Sequence, residues 1–557
     1  MKYIIIFFLS WISLCLQAQI PFEQYPSFET NPSGHYGTGL GIADINNDGW
    51  KDIIVANGND IQRQRLVVYY NNGDGTFPAD PDWQSSDIDY HGHLSAGDID
   101  NDGDIDVAVS VYIGASGFSS PGKLKVYYNS GTELESLPNF QSSSFYTFSC
   151  ALGDADGDGD LDLAAACGEP YGSIYDHGRI YYNDNGTFSE SNVWMSEIQM
   201  GGMDVEFGDV DQNGFLDLIF VSEELENYIF LSDNAGNINS QWDWVSDHPL
   251  NYMNSVDFGK PCATSDPCFV ATGNNQLGGD GKIKQFSFPH PLPQSSPPNW
   301  ESAFVGYGSG ILMAEINNDE NLDLLYGSWW GPLRILEGDC GFWNTTPAYV
   351  ASESSVVEAI LMSDLGKFNY QSSSKTIKSI TEQSVIYLDQ QIIEKINAVS
   401  VNGTYLDRAD YCYVELKNWV SFKDNIMPGD VVTIEYEYML NGDIVISNWD
   451  SGKGNFIYYN TNNPVGLAET DYEAKGLHIK DIYPQPAFEH INFTIEYADE
   501  TNIQASIFDL SGQLVLSGNL EGKGSYSMQI ASLKEGIYIL EISDGASFSQ
   551  RKIIIGQ

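Results

Sequence analysis

The sequence predicts an all-β protein whose main part is a seven-bladed β-propeller. A nine-residue acidic motif recurs along the chain, with starts separated by 54, 56, 55, 51, 55 and 49 residues. Runs rich in Val, Ile, Phe and Tyr follow the motifs, and turns rich in Asn, Gly and Asp separate them. Three or four short strands in a repeat of about 40 to 55 residues are typical of one propeller blade. A flat β-solenoid has much shorter repeats, and no helical periodicity accompanies these runs.

The first nineteen residues predict a signal peptide that is removed on export. Lys2 carries a positive charge, the run from Tyr3 to Leu16 is almost wholly apolar, and Ala18 offers a small residue for cleavage. This run is short for a membrane anchor, which needs about twenty apolar residues. A lipoprotein attached through Cys15 is the alternative, and the bulky Leu14 before it disfavours this. No later segment is apolar for long enough to predict a transmembrane span.

The charge balance excludes two classes of partner. The chain has 77 acidic and 25 basic residues, a formal net charge of −52. Nucleic acid and anionic membrane surfaces would repel such a chain. Many of the carboxylates recur at fixed spacing, which indicates a bound ligand as well as a well-solvated surface.

The acidic motif has the form D-x-D-x-D-G-x-x-D, which suits Ca²⁺. This hard cation prefers six to eight oxygen ligands, and short carboxylates that alternate on a tight loop can supply them. Side chains at positions 1, 3, 5 and 9 and the carbonyl at position 7 are the expected ligands. Loops one, two, three, four and six fill every side-chain position with Asp, Glu or Asn, which predicts about five calcium ions. The predicted ligands are Asp44, Asn46, Asp48, Asp52, Asp98, Asp100, Asp102, Asp106, Asp154, Asp156, Asp158, Asp162, Asp209, Asp211, Asn213, Asp217, Glu315, Asn317, Asp319 and Asp323.

The fifth loop departs from the motif. It has Lys260, Cys262, Thr264 and Cys268 at the four ligand positions. Because positions 3 and 9 converge on one ion in a filled loop, the two cysteines predict a Cys262–Cys268 disulfide in place of a metal. Such bonds persist in exported proteins, and two free buried thiols are the alternative.

The remaining cysteines of the exported chain have no fixed assignment. Cys150 and Cys167 flank the third loop, so they either form a bridge between adjacent strands or are small core residues. Cys340 and Cys412 have no assignable partner.

The seventh repeat is interrupted. It begins at Asp364 and resumes at Asp443, and residues 371–440 between them have their own β pattern, with an Asn-Gly turn at residues 402–403. This pattern predicts a small β module inserted in the last blade of a propeller that spans residues 20–460. The module has either a functional or a decorative role. The N-terminal segment 21–30 is expected to supply the outer strand that closes the ring.

The composition changes again after residue 460. Residues 461–476 read as a linker, and residues 477–557 contain about seven short strands, which predicts a small β-sandwich.

Two parts of the chain resemble known families. The acidic loops, the strands after them and the turn at residues 71–77 (NNGDGTF) resemble FG-GAP/VCBS repeats, the family of the integrin α-chain propeller. This resemblance covers about residues 30 to 460. It implies calcium-stabilised blades and a ligand surface on the face opposite the calcium loops.

The C-terminal segment resembles the sorting domain of type IX secretion substrates. The similarity rests on residues 483–486 (YPQP), 509–512 (DLSG), 536–538 (GIY) and 552–554 (KII), with Gln485 in place of the usual Asn. It implies passage across the outer membrane by the type IX machinery, followed by release or attachment at the cell surface. A fibronectin-like accessory module is the alternative.

A tyrosine precedes the first strand in five repeats, on the predicted opposite face. These tyrosines are either packing residues of the repeat or an aromatic ring at the channel mouth that binds sugars or a peptide. The candidate ligand-face residues are Tyr36, Tyr90, His91, His93, Tyr146, Tyr252 and Tyr307.

No nucleophile elbow, zinc motif or phosphate loop is present. The sequence therefore favours a secreted or cell-surface, non-catalytic binding or adhesion module for a glycan or a surface protein. The alternative is a lyase-like, polysaccharide-active enzyme that uses the opposite face, and the two classes differ in whether a basic residue stands beside His or Tyr in a deep pocket.

Overall fold

The computed structural model describes residues 20–462, apart from residue 33, residues 248–251, residues 368–369 and residue 451. In the C-terminal region it describes 478–483, 490–496, 502–508, 514–521, 524–531, 533–534, 536–543 and 548–555. The predicted signal peptide and most of the predicted linker lie outside the described residues. The chain forms two compact units, one of residues 1–71 and 77–462 and one of residues 72–76 and 463–557. The described residues are all-β apart from two 3-10 turns, Pro170–Gly172 and Arg408–Asp410.

The described part of the larger unit contains seven main sheets that follow one another along the chain. Sheet 1 contains the strands Gly37–Ala43, Asp52–Asn57, Leu66–Tyr69 and Trp83–Gln84. Sheet 2 contains Tyr90–Gly97, Asp106–Gly114, Gly117–Tyr127 and Phe140–Gln141. Sheet 3 contains Thr147–Gly153, Asp162–Glu169, Ile174–Asn183 and Phe188–Met200. Sheet 4 contains Gly202–Gly208, Asp217–Ser222, Tyr228–Phe230, Trp244–Ser246 and Ser295–Ser296. Sheet 5 contains Met253–Gly259, Cys268–Gly273, Ile283–Ser287 and Trp300–Glu301. Sheet 6 contains Gly308–Ala314, Asp323–Ser328, Gly331–Leu336 and Tyr349–Ser355. Sheet 7 contains Val357–Ser363, Asp443–Asn448, Phe456–Tyr458 and Phe28–Glu29. A short hairpin, Gly338–Asp339 with Phe342–Trp343, follows the third strand of sheet 6.

These sheets are arranged in a ring. The first strands of neighbouring sheets contact one another in cyclic order, and the first strand of sheet 7 contacts that of sheet 1. The strand Phe28–Glu29 pairs with Phe456–Tyr458, so the N-terminal segment completes sheet 7 as expected. The inner strands pack so closely that a Cβ atom on Gly92 would lie 1.9 Å from the carbonyl oxygen of Phe148.

The acidic loops all lie at one end of the sheets. In sheets 2 and 3 the pairing of the first two strands begins at Gly97 with Asp106 and at Gly153 with Asp162, and the other sheets follow the same register. Each loop is therefore the turn of an inner hairpin, and the other end of the same two strands lies on the opposite face. We call the two ends the loop face and the opposite face.

A β module, which we call the insert, occupies residues 370–439 and interrupts sheet 7. Ser363 still pairs directly with Asp443 across the interruption, so the insert leaves the ring on the loop face. Its described strands form one sheet of Tyr370–Lys378, Val431–Met439, Ile393–Val401 and Thr404–Tyr405 and another of Gln383–Tyr387, Trp419–Ile426 and Tyr411–Cys412. Buried residues such as Ile386, Val420, Ile434 and Tyr436 form its core.

The described strands of the smaller unit also form two sheets. One contains His478–Tyr483, His490–Glu496 and Gly524–Gln529, and the other Asn502–Phe508, Leu514–Glu521, Gly536–Ser543 and Phe548–Ile555. Alternating residues from both sheets, among them Phe493, Ile507, Leu540 and Ile553, share one buried core. The motif residues 484–486 and 509–512 lie outside the described part of the chain.

Among the residues that the structure describes, no helix is both long enough and apolar enough to span a bilayer.

Candidate calcium loops and the opposite face

The last carboxylate of each acidic loop is held by the backbone. In the second loop the two oxygens of Asp106 accept hydrogen bonds from the amides of Ile99 (2.9 Å) and Asn129 (2.7 Å). The last aspartates of loops one, three, four and six make the same two kinds of contact, the second with a backbone amide after the third strand. The aspartate at position 9 therefore connects the acidic loop, the second strand and the end of the third strand through hydrogen bonds.

The turn of each loop orients the carboxylate at position 1. In the second loop the amide of Gly103 donates to Asp98 Oδ2 over 3.1 Å, and Gly103 adopts a left-handed φ of 97°. Loops one, three and four repeat this contact with their own glycine. The sixth loop places Glu320 at this position, and Glu320 takes the same left-handed region with a φ of 68°.

Carboxylates converge in the second, third and fourth loops. Ligand atoms at positions 1, 3 and 9 lie within 4.8 Å of one another in each, in the groups Asp98, Asp100 and Asp106; Asp154, Asp156 and Asp162; and Asp209, Asp211 and Asp217. The first and sixth loops have an asparagine, Asn46 and Asn317, at position 3. That explains why the described residues show no three-carboxylate group there.

The donor set fits a hard cation. Asp44 Oδ1 and Asp98 Oδ1 are buried and accept no hydrogen bond, which leaves them available to a metal. Burial raises the pKa of Asp106 to about 8 and that of Asp154 to about 7. Burying several carboxylates together is costly unless a cation compensates them, and oxygen-rich groups of this kind suit Ca²⁺.

The prediction of a Cys262–Cys268 disulfide is wrong. Cys262 is bonded to Cys340, which lies in the hairpin after sheet 6, with a Cα–Cα distance of 5.0 Å. Cys268 begins the second strand of sheet 5 and is a free, fully buried thiol in a hydrophobic cluster. The reason is position: Cys268 starts the second strand and packs in the core between sheets 5 and 6, while Cys262 lies in the loop beside the hairpin that contains Cys340. Lys260 is exposed and donates to Gln212 of the fourth loop over 2.7 Å.

The other cysteines are core residues. Cys150, Cys167 and Cys412 are free and buried. Cys150 pairs with Ala165 and Cys167 with Thr147 in the ladder, so the first two are not opposite one another. Of the two alternatives, the bridge is wrong and the core assignment holds.

The insert packs against the acidic loops. Arg408 forms an ion pair with Asp98 over 3.0 Å, and the Ser421 hydroxyl donates to Asp154 Oδ2 over 2.6 Å. The amide of Asp209 donates to the hydroxyl of Tyr387 over 2.9 Å. The insert thus contacts the first ligand residue of three successive loops.

The insert also closes one end of the central channel. This channel has a volume of about 190 Å³ and is lined by the first strands of the sheets and by insert residues that include Val414, Leu416 and Lys417. Lys417 forms a 2.9 Å ion pair with Glu206. The other end of these first strands lies on the opposite face, and we call it the channel mouth.

The predicted tyrosines lie at the opposite face but are mostly half-buried. Tyr307 is the most open of them at 37 % exposure. Tyr146 donates through its hydroxyl to the carbonyl of Phe118 over 2.9 Å. The half-burial of Tyr36, Tyr90, Tyr146 and Tyr252 favours the packing interpretation for these residues over an open aromatic ring.

The two histidines do not lie on that surface. His91 is fully buried, with Nδ1 2.8 Å from the carbonyl oxygen of Asn57. His93 lines the channel, where its Nδ1 is 3.5 Å from Asp204 Oδ1. The assignment of His91 to the ligand face is wrong, because the first strand turns its side chain toward the interior. His93 lines the channel and stays a candidate ligand residue.

A tryptophan cluster that the sequence analysis missed lies on the opposite face. Trp329 and Trp330 follow the second strand of sheet 6, and Trp449 follows that of sheet 7. Ring centroids are 5.6 Å apart for Trp329 and Trp449 and 5.9 Å for Tyr307 and Trp330. Trp330 is 53 % exposed and has a left-handed φ of 53°. An exposed tryptophan with an unfavourable backbone conformation indicates a functional constraint.

Both inner tryptophans are positioned by one carboxylate. The indole nitrogens of Trp329 and Trp449 donate to Glu358 Oε2 over 3.0 and 2.6 Å. Glu358 is buried in the first strand of sheet 7. The Trp-Trp pair at residues 329–330, directly after a strand, is the sequence signal that could have found this cluster.

Carboxylates from several sheets surround the channel mouth. Burial raises the pKa of Tyr112 well above its ordinary range. The nearby ionisable groups Tyr171, Glu169, Glu223 and Asp60 raise this pKa further. Burial and the neighbouring Glu224 and Glu169 raise the pKa of Glu223 to about 8. The charges that shift Glu223 are all carboxylates, so the mouth is acidic.

Two family comparisons identify the class of the chain. Residues 30–109 match the family described as FG-GAP-like repeat, and residues 481–556 match the secretion system C-terminal sorting domain. The chain contains an FG-GAP-like repeat and a type IX sorting domain, and the sorting domain indicates secretion to the cell surface or the extracellular space.

Integrin alpha-3 is similar over part of the chain. The proteins of Mus musculus and Cricetulus griseus are each 29% identical to it over 123 residues, which is 20% of this chain and 11% of integrin alpha-3. The match thus spans about a tenth of the length of these relatives.

Two solved structures are similar at a lower level. They are crystal structures of BBS1N in complex with ARL6DN, soaked with lead and with mercury, both with a TM-score of 0.41. Their identities are 9% and 10%, over 62% and 63% of this chain and 91% and 92% of those chains. Likeness at this level does not bear on the blade count or on function.

Proposed function

We propose that this exported protein is a calcium-loaded, seven-bladed propeller that acts as a non-catalytic binding or adhesion module for a glycan or a surface protein. The seven sheets are its blades, and loops one, two, three, four and six hold about five calcium ions. The ligand binds on the opposite face. The observation that carries this proposal is the exposed Trp330 beside Tyr307 on the opposite face.

The shape of this surface suits binding. Trp330 and Tyr307 present flat amphipathic rings to solvent, and such rings stack on sugar faces or on peptide side chains. Glu358 fixes the two tryptophans beneath them through hydrogen bonds. A pre-positioned aromatic surface loses little side-chain entropy when a ligand binds.

A lyase acting on acidic polysaccharide fits less well. Such a substrate carries carboxylates, and the mouth contributes the carboxylates Glu169 and Glu224. Like charges at close range oppose binding. His93, which lines the channel, lies 3.5 Å from Asp204 and is already engaged with that carboxylate.

The test is ligand capture by the calcium-loaded protein. A glycan array and an array of outer-surface proteins are probed with wild type, with Trp330→Ala and with the control Trp83→Phe, which lies in the outer strand of sheet 1. We expect at least one ligand that wild type and the control retain and that Trp330→Ala loses by 10-fold or more. Cleavage of a captured polysaccharide, or capture that Trp330→Ala leaves unchanged, contradicts the proposal.

A further inference from the structure

A second cleft lies on the loop face, between the insert and the fifth and sixth loops. The insert bonds directly to the second, third and fourth loops, whereas a cleft of about 970 Å³ separates it from the next two. Ligand sites in proteins are commonly clefts of about 300 to 1,000 Å³. This cleft is distinct from the opposite face described above.

The floor of the cleft is built from the loop that has lost its calcium ligands. Lys260, Cys262 and Ala263 of the fifth loop line it. The Cys262–Cys340 disulfide ties this loop to the hairpin of the next blade. The disulfide thus holds the fifth loop in place, whereas we propose that bound metal holds the neighbouring loops.

The side of the cleft that faces the fifth loop is formed by two edge strands of the insert sheets. Lys375 and Ile377 of one strand and Gln383 and Tyr387 of the other line the cleft, together with Tyr438. Each of these strands pairs with a neighbour on one side only within the insert. Tyrosine rings and aliphatic side chains thus face the cleft beside amide groups.

The charges of the cleft balance once the calcium loops are filled. Asp209 and Glu315 belong to the metal loops, so their charge is taken up by the ions. The remaining charged lining residues are Lys260 and Lys375 against Glu320 and Asp389, and Lys375 pairs with Asp389 over 2.6 Å. With two cationic and two anionic side chains, the cleft has no surplus charge to pair with a charged ligand.

Four glutamine side chains offer hydrogen-bond donors to the cleft. Protein donors occupy the Oε1 atoms of Gln212 (2.7 Å from Lys260 Nζ) and Gln390 (2.5 Å from the Tyr436 hydroxyl). Gln383 and Gln391 are held in the same manner. In the described part of the chain their Nε2 groups make no hydrogen bond, so four oriented amide donors remain.

We propose that this cleft binds a neutral oligosaccharide. Uncharged hydroxyl and ring oxygens accept from the glutamine amides, and a sugar face packs on Tyr438. Neutral donors and balanced charge suit this ligand better than a uronic acid chain or a basic peptide, each of which needs a counter-charge.

The test uses defined tetrasaccharides and the full exported chain in calcium. Isothermal titration compares maltotetraose, cellotetraose, mannotetraose and chitotetraose with tetragalacturonate, with the tetramer of chitosan and with N-acetyl-tetraalanine amide. Ala263→Trp fills the exposed side of the cleft, and Ala348→Trp is a matched control on the exposed outer edge of sheet 6. Gln383→Leu removes one amide donor at similar side-chain size.

We expect at least one neutral tetrasaccharide to bind, with affinity reduced 10-fold or more by Ala263→Trp and by Gln383→Leu. Ala348→Trp and Trp330→Ala should leave that affinity unchanged, which separates this cleft from the opposite face. The inference is overturned if none of the neutral tetrasaccharides binds, if a charged probe or the peptide binds more tightly, or if Ala263→Trp has no effect.

Discussion

The Cys262–Cys340 disulfide gives the sharpest test of the architecture. The bond joins residues 78 positions apart. Closing a loop of this length removes chain entropy from the unfolded state that corresponds to about 4.5 kcal/mol at 25 °C. A Cys262–Cys268 bond would close a loop of about six residues, and the same relation gives about 2 kcal/mol.

We therefore expect Cys340→Ser to lower the free energy of unfolding by up to about 4 kcal/mol. Guanidinium unfolding in saturating calcium, followed by fluorescence, measures the change through its midpoint and slope. Cys268→Ala is the matched control. It removes one buried sulfur, should cost about 1 kcal/mol, and should leave the disulfide in place.

Peptide mapping of the non-reduced protein completes the test. A cross-linked pair of peptides that contain Cys262 and Cys340 is expected in wild type and in Cys268→Ala. A link between Cys262 and Cys268, or labelling of Cys340 by a thiol reagent in the native protein, would refute the assignment. So would a Cys340→Ser variant that is as stable as wild type.

Three other predictions concern the loops, the mouth and export. Asp156→Ala should remove one calcium ion from the stoichiometry because it deletes a position-3 carboxylate of the third loop; equilibrium dialysis with ⁴⁵Ca measures this, and an unchanged ion count contradicts it. Because the folded-state pKa of Glu223 is raised from 4.5 to about 8, this residue should lower stability progressively as pH rises from 4.5 to 8, by about 5 kcal/mol at most. Glu223→Gln should remove that part of the pH dependence, and superimposable stability curves for the two proteins would rule it out. Deleting residues 477–557 should leave the protein in the periplasm of its native host; fractionation and immunoblotting measure this, and normal surface display of the truncated protein would count against a role of this segment in sorting.

Features encoded by local patterns were predictable from the sequence. The acidic loop sets its own turn through glycines such as Gly103, and its last aspartate starts the next strand, so spacing alone located these hairpins. The outer strand at Phe28–Glu29 followed from the missing edge in the last repeat. The type IX sorting domain was likewise marked by short motifs in a fixed order, and the family match over residues 481–556 confirms it.

Features that depend on contacts between blades were not predictable. The partner of Cys262 lies 78 residues away, and no local pattern indicates which hairpin of the next blade reaches the fifth loop. His91 was a candidate for the ligand face, and no local pattern indicated that packing between neighbouring sheets would bury it. The insert gave a β pattern but no sign that Arg408 and Ser421 would meet the ligand carboxylates of two loops.

Calcium content, measured together with the melting curve, tests most directly whether the acidic loops are metal sites. The exported protein is analysed by plasma mass spectrometry after gel filtration in metal-free buffer, and its unfolding is then recorded with calcium and with chelator. We expect about five calcium ions per chain and a strong fall in melting temperature on chelation, because each ion that binds only the folded state adds RT ln(1 + [L]/Kd) to stability. Fewer than three ions, or a melting curve that the chelator leaves unchanged, would contradict the assignment of these loops to calcium.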